Sequence, residues 1–111
     1  MFVLNKHLDV DTYYLPVPVT CRVVKAYAVC DVQNFSVADG TITLSDGTTT
    51  IGTITVAAAA VEGDMDNLTM DGTSLGKVEL SPTKPLKIVL AGNTNGEVEL
   101  TIVFDEFHAN N

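Results

Sequence analysis

The chain has 111 residues and a mass of 11.8 kDa. This is the size of one domain, so a second domain is excluded. Apolar residues make up 46% of it and charged residues 18%, a balance that predicts a folded protein and not a disordered one. There are 14 acidic and 6 basic residues, so the formal net charge is −8. A field of that sign repels phosphate backbones and anionic lipids, which argues against nucleic acid or a membrane as partner.

The compartment is predicted from targeting signals and cysteines. The first residues lack the basic start and apolar run of a secretory signal, and the longest uncharged stretch, 47–61, is too short to span a bilayer. Cys21 and Cys30 lie on one predicted strand, about 30 Å apart if it is continuous, which is too far for a disulfide. We expect both to be reduced and buried, consistent with synthesis in a reducing cytoplasm.

Hydrophobic periodicity predicts β-strands along most of the chain. Residues 20–32 carry apolar side chains on both alternating faces, which predicts a central strand covered on both sides. Residues 41–45 and 53–56 alternate cleanly around Asp46-Gly47, which predicts a β-hairpin.

The second half continues this pattern. Residues 76–80 predict a half-solvated strand, and the Pro-containing segment that follows predicts a break. Residues 87–91 and 97–104 flank a Gly/Asn-rich stretch and predict a second hairpin, whereas 57–68 predict a single turn or a long crossover. The predicted fold is all-β: an antiparallel β-sandwich, jelly-roll-like, with seven or eight strands.

The N-terminal segment differs in composition from the rest. Residues 1–19 are rich in aromatic residues and proline and predict an N-terminal arm or an edge strand, ahead of a sandwich domain at 20–107 and a tail at 108–111. Two interpretations stay open: these side chains anchor a neighbouring protein, or they cover the edge of their own sandwich. The predicted partner-binding residues are Phe2, Tyr13, Tyr14, Leu15, Pro16 and Phe107.

Catalytic and metal-binding patterns are weak. His7 and His108 stand near the ends without a nucleophile elbow or zinc-ligand spacing, so we expect no enzymatic activity, no cofactor and no zinc. Glu97 and Glu99 share one face of a predicted strand, about 7 Å apart, which favours two solvated carboxylates.

One acidic loop is a weak candidate for calcium. It offers oxygen ligands but lacks the ligand spacing of an EF-hand, so solvated turn residues are the competing interpretation. The candidate ligands are Asp64, Asp66 and Asp71.

The order of these segments resembles that of small virion structural proteins of tailed bacteriophages. Residues 16–29 (PVPVTCRVVKAYAV) resemble the proline-led strand of that group, and 38–44 (ADGTITL) with 52–56 (GTITV) resemble its hairpin. A loop at 63–66 (GDMD) and an alternating strand at 97–104 follow in the order seen there. The first fifteen residues and the last five depart from the pattern.

This resemblance implies a capsid decoration or cement protein, or a head-fibre module, located on the virion surface after synthesis in the host cytoplasm. The implied partner is the major capsid protein, and analogy implies a homo-oligomer, a trimer. The resemblance supplies no catalytic residues. The alternative from the residues is a ligand-binding or host-adhesion β-sandwich for carbohydrate, assisted by calcium at the acidic loop.

Overall fold

A computed structural model describes residues 1–32, 39–58, 60–72, 78–92 and 96–106. They form nine β-strands, paired antiparallel in a four-stranded sheet of order β1-β9-β3-β6 and a five-stranded sheet of order β2-β8-β4-β5-β7. The strands are β1 (Phe2–Leu8), β2 (Thr12–Leu15), β3 (Cys21–Val32), β4 (Gly40–Ser45), β5 (Thr50–Val56), β6 (Met65–Asn67), β7 (Thr69–Met70), β8 (Leu86–Ala91) and β9 (Glu97–Glu106).

The strand order is that of a jelly roll. The strands pair as in one long hairpin rolled up into two sheets: β1 with β9, β2 with β8, β3 with β6, and β4 with β5. Rolling then places β9 beside β3 and β8 beside β4. The predicted sandwich is confirmed, with nine strands where seven or eight were expected. The count differs because the N-terminal segment forms two strands, β1 and β2, and because β6 and β7 lie where no strand was predicted.

The core lies between the two sheets and is built by period-two alternation. On β8 and β9 every second side chain is buried, while the residues between them are half-buried or exposed. The largest fully buried side chains are Leu8, Ile42, Leu44, Ile51, Ile54, Leu80, Leu86, Ile88, Leu90, Leu100 and Phe104.

The predicted β4–β5 hairpin is confirmed. Ile42 pairs with Ile54, both facing the core, and threonines occupy the outer face. Asp46 begins the turn by accepting hydrogen bonds from the backbone N–H groups of Thr48 and Thr49 at 2.8 and 2.6 Å. Gly47 follows with φ of 97°, a conformation that favours glycine.

The predicted second hairpin is wrong. β8 and β9 are both strands, but β8 lies in the five-stranded sheet between β2 and β4, and β9 lies in the four-stranded sheet between β1 and β3. Each buries a whole apolar face, and these faces meet across the core instead of lying side by side. Alternation therefore located the strands without identifying their partners.

The central position of β3 is confirmed, but burial on both of its faces is not. Cys21 and Val23 face the core, and after a register shift between Val23 and Lys25 the buried positions become Ala26, Ala28 and Cys30. This β-bulge changes the phase of the alternation, so that a strand with one buried face has apolar residues at both odd and even positions. The other face is half-buried or exposed along the strand.

Two shorter predictions concern connecting segments. Residues 57, 58 and 60–64 lead from β5 in one sheet to β6 in the other, which agrees with a crossover. The segment predicted as a single turn or a long crossover extended to residue 68, and its residues 65–67 form β6 instead. Of the strand predicted at 76–80, residues 76 and 77 lie outside the described part. Val78 and Leu80 are buried, and Leu80 exchanges backbone hydrogen bonds with Cys21 at 2.8 and 2.9 Å as an isolated bridge.

The N-terminal segment contributes one edge strand to each sheet. β1 pairs with β9 along its whole length, from Phe2↔Phe104 to Leu8↔Val98, and β2 pairs with β8. A three-residue connection at 9–11 joins them across one side of the sandwich. Both cysteines are buried, and neither forms a disulfide.

Candidate functional site

Four titratable side chains meet on the outer face of the four-stranded sheet, and we call this group the His7 cluster: His7, Asp31, Glu97 and Glu99. His7 lies on β1, both glutamates on β9, and Asp31 on β3. The alternation of β9 produces the pair, because Val98 and Leu100 are buried and the residues beside them must face outward. The antiparallel register then sets His7 directly opposite Glu99.

The imidazole of His7 contacts all three carboxylates. Its Nδ1 lies 2.7 Å from Glu99 Oε1 and 3.5 Å from Asp31 Oδ2, and its Nε2 lies 3.0 Å from Glu97 Oε1. Every ring nitrogen therefore has a carboxylate oxygen beside it. The side chains are 37 to 53% exposed, so the cluster is open to solvent.

Asp31 joins the cluster through a second bulge in β3. Cys30 pairs with Val98 and Val32 pairs with Glu97, which leaves Asp31 as the extra residue between two regular pairs. Bulges redirect the side chain of the inserted residue. Here the carboxylate reaches the imidazole of β1 across the intervening strand β9.

The electrostatics of the cluster are dominated by negative charge. Hydrogen bonds to Glu99 and then to Glu97 raise the pKa of His7 above its ordinary value of 6.5. Even with a protonated imidazole, three carboxylates and one cation leave a formal charge of −2. One ring nitrogen of His7, one oxygen of Asp31 and one of Glu97 lie within 4.8 Å of one another, close enough for one metal ion to contact all three after small movements.

Sequence reasoning did not find this cluster. It identified Glu97 and Glu99 as a pair on one strand face and considered His7 only as an isolated histidine. Residues 7, 31 and 97 are far apart in sequence and meet only through the pairing of β1, β9 and β3. The expectation of no zinc rested on ligand spacing along the chain, which carries no information about contacts across a sheet.

The predicted partner-binding residues fall into two groups. Phe2, Tyr13 and Leu15 are half-buried and pack against the core. The ring of Phe2 stacks on Phe104, and the hydroxyl of Tyr13 donates to the carboxylate of Asp9. These three side chains cover the edge of their own sandwich, which is the second of the two interpretations above.

The other predicted contacts are accessible. Tyr14 is 63% exposed and Pro16 is exposed, whereas Phe107 lies outside the described residues. Met1, Val3 and Val19 add exposed apolar side chains to the same segment. We call the surface formed by β1, β2 and residues 16–19 the N-terminal side.

The three aspartates proposed as calcium ligands lie in different surroundings. Asp64 Oδ2 accepts a hydrogen bond from the backbone N–H of Val61 at 3.0 Å, so it stabilises its own turn. Asp66 is half-buried on β6, where burial and then the nearby charge of Asp64 raise its pKa. Asp71 follows β7, and its N–H donates to Ile51 O of β5. Calcium binding at this loop stays a prediction.

Comparison of the chain with protein-family models, with curated proteins and with solved structures gave no match in any of the three. The described residues contain no helix of the length and apolar character needed to span a membrane.

Proposed function

We propose that the protein is a non-enzymatic virion structural protein, a capsid decoration or cement protein that bridges major capsid subunits of a tailed phage and stabilises the shell. The sequence resemblance motivates this assignment. The observation that carries it is the location of exposed apolar side chains on the N-terminal side.

Large apolar side chains are exposed unevenly over the described residues. The exposed ones are Met1 at 78%, Val3 at 51%, Tyr14 at 63%, Val19 at 39%, Val61 at 45% and Met65 at 59%. The first four belong to the N-terminal side. Val3 lies on the outer face of the four-stranded sheet and Tyr14 on the outer face of the five-stranded sheet. Exposed apolar side chains are typical of protein interfaces, and tyrosine is enriched among residues that dominate binding energy.

The same side carries the two longer sheet edges. β1 has seven residues and β2 has four, and each has a sheet neighbour on one flank only. The opposite edges, β6 and β7, have three and two residues. A long edge strand presents backbone N–H and C=O groups that a partner strand can pair with. A capsid subunit could therefore bind here through backbone hydrogen bonds and through side chains such as Tyr14.

Two general properties agree with this role. Jelly rolls occur in viral capsid proteins, and also in lectins and cupins, so the fold supports the proposal by analogy only. The net charge of −8 keeps the free protein soluble and away from packaged nucleic acid. A specific interface of about 1,200–2,000 Å² needs no catalytic group.

The test is co-sedimentation of the purified protein with empty expanded capsids of its phage, together with light scattering of the free protein. We expect saturable binding at a fixed ratio per capsid subunit. Scattering tests the proposed trimer separately. Deletion of residues 1–16 is unsuitable as a probe, because it removes β1, β2 and the buried Leu8 and so destabilises the fold.

Point variants keep the fold and locate the interface. Tyr14→Lys changes an exposed side chain on β2 and should weaken capsid binding roughly tenfold or more. Thr55→Lys introduces the same charge at an exposed position of β5 and should bind as the wild type does. Equal loss in both variants would remove the assignment of the N-terminal side as the interface.

Failure of the unmodified protein to bind capsids would contradict the decoration role itself. The alternative, a ligand-binding or host-adhesion module, would then be tested with carbohydrate arrays in calcium and in chelator.

A further inference from the structure

We propose that the His7 cluster binds one divalent transition-metal cation of the zinc type, with His7, Asp31 and Glu97 as protein ligands. This inference does not depend on the proposed capsid role. It rests on the convergence of an imidazole and carboxylates from three adjacent strands.

The ligand set selects the class of cation. An imidazole nitrogen with two carboxylate oxygens suits Zn²⁺ and its neighbours in the first transition row, whereas Ca²⁺ and Mg²⁺ prefer oxygen ligands throughout. Zn²⁺ accepts three protein ligands in a tetrahedral site and completes its shell with water. The solvent-open position of the cluster leaves room for that water.

The distances allow binding after movements of the side chains. Zinc bonds of about 2.0–2.2 Å separate the ligand atoms of a tetrahedral site by about 3.3–3.6 Å. In the structure, His7 Nε2 is 3.0 Å from Glu97 Oε1, while Asp31 Oδ2 lies 3.5 Å from the other ring nitrogen, Nδ1. One ring nitrogen and one oxygen from each of the two carboxylates lie within 4.8 Å of one another. An ion bound to Nε2 lies beside Glu97, and the Asp31 side chain must move from its place near Nδ1 to join it.

Glu99 completes the arrangement without ligating the metal. Its Oε1 lies 2.7 Å from His7 Nδ1, the nitrogen that stays protonated when Nε2 binds the ion. A carboxylate that accepts the second imidazole N–H fixes the orientation and tautomer of a metal-binding histidine. Glu99 is therefore a positioning residue.

A bound ion should also stabilise the folded protein, because of the charge of the cluster and the order of its strands. The cluster holds three carboxylates and one imidazole, and a divalent cation neutralises charge that the imidazolium alone leaves uncompensated. The ligands come from β1, β9 and β3, so the ion links the edge strand β1 to two inner strands. Binding to the folded state alone raises its stability.

The experiment is a calorimetric titration of the full chain, free of affinity tag, with Zn²⁺ alone at pH 8, because protons compete for the imidazole. We expect one site per chain, unaffected by millimolar Ca²⁺. Thermal unfolding with Zn²⁺ at a hundredfold excess over Kd should shift Tm upward by on the order of 5–10 °C relative to chelator.

Variants separate this site from other metal-binding groups. His7→Gln should abolish binding, Asp31→Asn and Glu97→Gln should weaken it tenfold or more, and Glu99→Gln should weaken it roughly tenfold. His108→Gln, at a histidine outside the described residues, should leave affinity unchanged. So should Glu62→Gln, at an exposed acid between β5 and β6.

The outcomes decide the proposal. Absence of a stoichiometric site in the wild type would overturn it, and so would wild-type affinity in His7→Gln or loss of binding in His108→Gln. Urea unfolding in chelator checks that each variant is folded. If His7→Gln is unfolded, Asp31→Asn and Glu97→Gln carry the test.

Discussion

The ring of Phe2 stacks on the ring of Phe104, with centroids 4.8 Å apart and planes inclined by 13°. The two residues are directly opposite in the pairing of β1 with β9, and Phe104 is fully buried. The contact attaches the start of the chain to the core. We predict that Phe2→Ala lowers the free energy of unfolding by about 2 kcal/mol, because it removes both the ring pair and half-buried apolar area. Urea denaturation measures the change.

Val3→Ala is the matched control for that substitution. Val3 is the next residue of β1, but it faces outward and is 51% exposed, so its truncation should change stability by less than about 0.5 kcal/mol. Equal losses in the two variants would show that the stacked pair contributes nothing beyond strand propensity.

The local part of this fold was predictable because its determinants are close in sequence. Asp46-Gly47 between two alternating segments specifies a hairpin, and the structure contains it. The pairing of β9 with β1 and β3 depends instead on which apolar faces meet across the core. Alternation alone does not encode that choice, so a hairpin between neighbours was predicted where the chain crosses between sheets.

In the candidate site, too, the local features could be predicted from the sequence and the contacts between distant strands could not. The alternation around Val98 placed Glu97 and Glu99 correctly on one face, but the partners that give this pair its chemistry come from other strands. Asp31 depends further on a bulge, and no residue type in that segment marks where a strand inserts an extra position. The aromatic residues of the N-terminus could be predicted as a group from the composition. That Phe2 is half-buried while Tyr14 is exposed follows only from the positions of β1 and β2 in the two sheets.

The ionised carboxylate of Asp46 should make the folding stability of the protein fall at acid pH. The side chain of Asp46 is only 6% exposed, and burial by itself raises the pKa of the carboxyl group. Hydrogen bonds from the N–H groups of Thr49 and Thr48 and the ammonium of Lys84 outweigh burial and lower the pKa from 3.8 to about 2. A carboxylate with a lowered folded-state pKa stabilises fully above its unfolded pKa and loses that effect as pH falls through the folded value. We predict a loss of up to about 2 kcal/mol between pH 4 and pH 2.

Asp46→Asn isolates this contribution, since the amide keeps a side-chain acceptor but no charge. Urea denaturation at pH 6, 4 and 2.5 should show the wild type more stable at pH 6 and the difference shrinking as pH falls. A difference that stays constant over this range would contradict the assignment to the ionised carboxylate.

Gly52 permits the close approach of β7 to β5. A Cβ at this position would lie 2.9 Å from Leu68 Cδ1 and 3.1 Å from Met70 Cα, and it would clash with the backbone oxygen of Thr69. We predict that Gly52→Ala destabilises the protein by about 1–3 kcal/mol, because backbone must move to admit the methyl group. Gly72→Ala is the control, since no atom lies within 4 Å of the point that its methyl group would occupy, and the change should be within about 0.5 kcal/mol. Thermal unfolding compares the pair, and equal Tm values would show that β7 adjusts freely.

The two cysteines should be unreactive in the folded protein. Cys21 is fully buried, and burial, followed by the charge of Glu106, raises the pKa of its thiol to about 11; burial also raises the pKa of Cys30. Because the thiolate is the nucleophile, we predict that iodoacetamide at pH 8 modifies both at least roughly 100-fold more slowly than it modifies a cysteine introduced at exposed Thr55 (Thr55→Cys). Mass spectrometry over time measures the rates, and urea should make all thiols react alike. Rapid modification of Cys21 or Cys30 without denaturant would mean that β3 separates from its neighbours in the native state, which its central position between β9 and β6 opposes.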